Sequence, residues 1–98
     1  CFCERLDGGG SVLHATVVHV APGRLLRLAG GLGPLQAEGA AAAWTWELKP
    51  SAGGTTVTQT MSVGGWSAGG LGALAIPVDG VLAEQQARLK RFAETGRP

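Results

Sequence analysis

"AAWTWELKPSAGGTTVTQTMSV", residues 42–63, changes character at every second residue. On an extended chain Trp44, Trp46 and Leu48 fall on one side and Thr45, Glu47 and Lys49 on the other, the period of a half-buried strand. Beyond the turn chemistry of Ser51 to Gly54 the alternation resumes. Val57, Met61 and Val63 share a face against Thr56, Thr58, Thr60 and Ser62, with Gln59 the polar exception on the apolar side. Two such runs joined by a short glycine turn predict an antiparallel hairpin with an aromatic inner face.

The same punctuation recurs toward the N-terminus. Asp7-Gly8-Gly9-Gly10, Pro22-Gly23 and Gly30 to Pro34 are turn stretches, because glycine permits positive φ and proline presets the first turn position. Between them the chain predicts strands at 2–6, 11–20 and 24–29, followed by 40–49 and 55–63. The links are too short for parallel crossovers, so the five strands predict an antiparallel meander. The 11–20 run is apolar on both parities, which a bulge or burial on both sides would explain. The alanine-rich stretch 37–43 runs into a strand and leaves room for a short helix there.

After Gly69-Gly70 the period changes. Leu71, Leu74, Val78, Val81, Leu82, Leu89 and Phe92 recur at three and four, predicting an amphipathic helix over about 71–95 with a break near Pro77 and Gly96 as its C-cap. The fold class is therefore α+β, an antiparallel meander with one long C-terminal helix packed across it, in a single domain over 1–98. At 98 residues and 45% hydrophobic content the chain holds one modest core and is not disordered.

The formal charge is +1, and the basic cluster Arg88-Leu89-Lys90-Arg91 is interleaved with Glu84 and Glu94 at helical spacing. It reads as a solvated helix face, so neither nucleic acid nor membrane insertion is expected, and the protein is expected to be soluble. Cys1 and Cys3 on one strand would lie roughly 6.5 to 7 Å apart, poor geometry for a disulfide. With only His14 and His19 as further soft ligands, no metal is expected. The chain opens at Cys1 inside an apparent strand, which predicts that natural residues precede it. A signal peptide among them would make the protein an exported one rather than a cytoplasmic one.

Gly65-Trp66-Ser67-Ala68-Gly69 spells the G-x-S-x-G of a nucleophile elbow. That motif needs a parallel sheet and a histidine later in the chain, and none follows Ser67, so the match is read as chance and Ser67 as a helix cap. No phosphate loop follows either, since Leu71-Gly72 stand where lysine and a hydroxyl residue are required. His14 and His19 are five apart and face opposite sides of a regular strand. No catalytic constellation emerges, and no cofactor is expected. Trp44, Trp46 and Met61 line a surface that suits a filled core and a lined cavity equally well.

Three stretches together resemble bacterial members of the SRPBCC superfamily, the START-like, polyketide-cyclase-like helix-grip domains. They are "CFCERLDGGGSVLHATVVHVAPGRLLRLAGGLGPLQ", "WTWELKPSAGGTTVTQTMSVGGW" and "GGLGALAIPVDGVLAEQQARLKRF". The most specific parts are V-x-x-x-P-G-R-L-L-R-L at Val18 to Leu28 and G-G-T-x-V/L-T-x-T at Gly53 to Thr60. The resemblance implies a helix-grip fold lacking its N-terminal strand and short helices. It also implies a hydrophobic or amphipathic small molecule held between sheet and helix; the aromatic inner face makes Leu28, Trp44, Trp46, Met61, Val78 and Leu82 its expected lining and His14 a candidate polar anchor. The rivals are a cyclase or aromatase using His14 and Gln59, and a protein-interaction module like the heat-shock chaperone ATPase activators. Unpaired sheet edges at 2–6 and 55–63 would suit a homo-oligomer.

Overall fold

A computed structural model describes all residues, 1–98. The chain is α+β and divides into two compact units, Cys1–Ser67 and Ala68–Pro98. The first is a five-stranded antiparallel sheet in the order β1-β2-β3-β4-β5, built from Phe2–Arg5, Ser11–Ala21, Leu25–Gly30, Ala41–Ser51 and Gly54–Gly64. The meander follows from the short turns. Pro22 and Gly23 (φ +71°) reverse the chain between β2 and β3, closed by the Arg24 N–H on the Ala21 carbonyl at 2.9 Å, and Gly53 (φ +78°) does the same between β4 and β5.

Register decides which side chains share a face. Val17 pairs with Leu28, Leu28 with Trp44, and Trp44 with Met61. Cross-strand partners stand on the same side of a sheet, so these four form one apolar row. Val20, Leu26, Trp46 and Gln59 form the next row, with Gln59 inside as the alternation requires. On the other flank Phe2 pairs with Ala15, while Gly30 pairs with Ala42 and Ala42 with Val63.

Two bulges in β2 explain why its sequence is apolar on both parities. Phe2 and Cys3 are consecutive but face Ala15 and Leu13, so His14 is an extra residue; Val17 and His19 face Leu28 and Arg27, so Val18 is another. Each extra residue shifts the alternation by one, and the strand changes which parity it turns to the Trp44 side.

Gly30 marks the closest approach in the sheet: a Cβ there would stand 2.6 Å from the His14 carbonyl oxygen and 2.8 Å from the Ala15 Cα. Only glycine allows β2 and β3 to meet at this point.

Two local expectations are corrected. The short helix lies at Gly33–Ala37 (α1), not at 37–43, because Pro34 is compatible with a first helical turn and the alanines beyond Gly39 (φ +71°) are drawn into β4. Cys1 and Cys3 form a disulfide, with Cα atoms 5.6 Å apart. Cys1 precedes the first strand residue and the β1–β2 register shifts at Phe2/Cys3, so the regular two-residue rise does not apply to this pair.

In the second unit a 3₁₀ turn, Leu71–Leu74, leads into α2, Ala75–Thr95. The break thus falls at the 3₁₀–α junction, three residues before Pro77, which sits in the first turn of α2 where an N–H has no intrahelical partner to lose. Gly96 (φ +76°) ends the helix, its N–H bonded to the Phe92 carbonyl at 2.8 Å. Glu84–Arg88 at 2.6 Å and Lys90–Glu94 at 4.0 Å occupy the solvated side, as their spacing predicts. No helix is long and apolar enough to cross a membrane.

Candidate functional site

The Trp44 side of the sheet carries a continuous strip that runs from polar to aromatic. At its polar end the Glu4 carboxylate meets His14 Nε2 at 2.9 Å. The Phe2 and His14 ring centroids lie 5.0 Å apart, Phe2 and Trp44 5.8 Å, and Trp44 and Trp46 4.3 Å. Phe2 is on β1 and Trp44 on β4, strands whose backbones in a flat sheet would be about 14 Å apart. The rings meet because the sheet curls into a half-barrel and because Ala15, Gly30 and Ala42 between them are small.

The bulge at His14 creates the polar end. Regular alternation from buried Ala15 would turn His14 to the opposite face; the extra residue returns it to the side of Phe2 and Glu4. Its tautomer follows from its neighbours. The Gly33 N–H donates to Nδ1 at 3.2 Å, so Nδ1 is the bare nitrogen and Nε2 carries the proton that goes to the Glu4 carboxylate. α1 is fastened at the same place, since the Gln36 side-chain amide donates to the Leu13 carbonyl. Each ring nitrogen of His14 is thus occupied.

Trp44 is the best-buried large side chain of the strip at 3% exposure, yet its indole Nε1–H has no hydrogen-bond partner. Trp46, Met61 and Leu26 are half-buried, while Phe2, Val17 and Val20 remain 39%, 44% and 57% exposed. The surface is therefore an apolar sheet face with a buried floor and an open rim.

Of the residues expected to line a site, the sheet brings Leu28, Trp44 and Met61 into one row, sets Trp46 beside Trp44, and joins His14 to them through Phe2. Val78 and Leu82 belong to the second unit, one turn apart on α2, where Leu82 is buried and Val78 half-buried. Sequence reasoning missed Glu4, Phe2 and Val17. A ten-residue separation hides the Glu4–His14 pair, and only the β1–β2 register exposes it.

His19 pairs with Arg27, whose Nε donates to the Thr45 hydroxyl at 2.9 Å, placing His19 on the face away from Trp44. Ser67 follows β5 of an antiparallel sheet and caps no helix: Gly70 and Leu74 occupy the cap positions of the 3₁₀ turn and α2, with no side-chain cap bond at either. The elbow geometry is absent, and so is the expected cap.

No protein family, curated protein or solved structure matches the chain.

Proposed function

We propose that the Trp44 face of the sheet binds a hydrophobic or amphipathic small molecule. The observation that carries this is the unbroken strip Glu4–His14–Phe2–Trp44–Trp46, which grades from a carboxylate–imidazole pair to two adjacent, tilted indoles. Apolar ligand sites combine a large aromatic surface with a few convergent polar groups, and this face has that composition. The row Val17, Leu28, Trp44 and Met61 supplies the apolar area, and the exposed rim at Phe2, Val17 and Val20 supplies access. The resemblance of the Val18–Leu28 and Gly53–Thr60 motifs to SRPBCC proteins supports the same reading.

Native mass spectrometry of protein purified without detergent, before and after denaturation, tests it. A discrete extra mass that departs on unfolding is the expected result. If an identified ligand bound equally well to wild type and to Trp46→Ala, the assignment of this face would fail.

The Glu4–His14 pair favours a second reading, an enzyme of the cyclase type in which Nδ1 stays on the Gly33 N–H, the substrate takes the place of Glu4 at Nε2 and the proton is exchanged there. Turnover that drops in His14→Phe while ligand affinity persists would select it over binding alone.

A further inference from the structure

Indole Nε1 is a donor with no acceptor capacity, so a buried tryptophan N–H normally meets an oxygen. Trp44 departs from this: it is 3% exposed, and its N–H meets nothing. The rings beside it, Phe2 and Trp46, offer π faces and no lone pair. A buried donor left unpaired loses its water hydrogen bond without replacement, a cost a core tryptophan could avoid by being phenylalanine. Trp44 itself belongs to the strip proposed as the binding face, between Phe2 and Trp46.

We infer that the molecule bound on this face carries a hydrogen-bond-acceptor oxygen, a carbonyl or carboxylate, which accepts the Trp44 indole N–H. The inference rests on the binding function proposed above and narrows its ligand class. Alkanes and plain aromatic hydrocarbons fit the surface but leave the donor unpaired. An apolar body with one carbonyl or carboxylate oxygen satisfies both. Access is past Phe2, whose ring meets Trp44 in an edge-type contact at 5.8 Å and is 39% exposed.

The test uses the whole chain with ¹⁵N-labelled tryptophan. The three indole N–H signals, from Trp44, Trp46 and Trp66, are assigned by single Trp→Phe variants. Two probes of the same shape are titrated: 2-acetylnaphthalene, which has a carbonyl, and 2-isopropenylnaphthalene, which has a methylene in its place. Both should bind, the ketone roughly three- to tenfold more tightly, the range set by one net hydrogen bond. Only the ketone should move the Trp44 indole proton downfield. In Trp44→Phe, which keeps a ring and loses the N–H, the two affinities should be equal.

Equal affinities in the wild type with an unmoved Trp44 proton would overturn the inference and leave the binding function standing. A Trp44 proton that cross-relaxes with a trapped water and keeps it when the ketone binds would do the same. Failure of both probes to bind would overturn the binding function and the inference together.

Discussion

His14 donates from Nε2 to the Glu4 carboxylate at 2.9 Å while its Nδ1 accepts the Gly33 N–H, so one imidazole ties β1, β2 and the start of α1 together. The two bonds differ in weight. Glu4 is 57% exposed, and an ion pair or hydrogen bond at that exposure contributes little, whereas the Gly33 N–H is in a partly buried place.

Glu4→Gln should therefore cost under about 1 kcal/mol, and His14→Phe about 1–3 kcal/mol because it strands the Gly33 donor. Urea unfolding measures both. The reverse order would show that the pair with Glu4, not the bond to Gly33, anchors the ring.

Trp44 and Trp46 sit two residues apart on β4 but differ in depth, one buried and one half-buried. Trp44→Ala should destabilise by about 3–5 kcal/mol, the range for emptying a buried aromatic site. Trp46→Ala should cost about half as much, in line with its smaller buried area. Against a total stability on the order of 5–15 kcal/mol for a chain this long, the first change leaves a marginal protein and the second a folded one. Equal losses would mean that the two rings share one cavity.

Gly30→Ala puts a methyl group 2.6 Å from the His14 carbonyl oxygen, where two strands already touch. A loss of about 1–3 kcal/mol is expected as β2 is pushed away. Gly54→Ala, with nothing within 4 Å of the added carbon, is the control and should change stability by less than about 0.5 kcal/mol. Similar values for the pair would remove the close approach as the reason for glycine at 30.

Reducing the Cys1–Cys3 disulfide opens a loop of only three residues, so chain entropy limits its stabilisation to about 1.5 kcal/mol. Hydrogen exchange after reduction should quicken in β1 and leave β3 and β4 protected. Loss of protection reaching β3 would show that the bridge holds more than the end strand.

The hairpin of β4 and β5 was readable from residues 42–63 because alternation reports directly on which face is buried, and cross-strand pairing then followed in register from Trp44↔Met61 to Leu48↔Val57. The C-terminal helix was readable for the same reason at a period of 3.6, with Gly96 as its stop. The faces of β2 were not. A bulge leaves no mark in composition, and the two in this strand shift the alternation at His14 and again at Val18. The disulfide was hidden similarly, since regular strand geometry excluded a pairing that the irregular start of β1 permits.

The sequence by itself determined the five strands, their antiparallel order, the aromatic inner face of β4 and the terminal helix. These depend on local period and on links too short for any other connection. Only the tertiary structure decided that Glu4 meets His14, that Phe2 reaches Trp44 across two intervening strands, and that the Trp44 N–H is buried without a partner. Those contacts depend on curl, bulges and register between residues distant in the chain, and no local pattern encodes them.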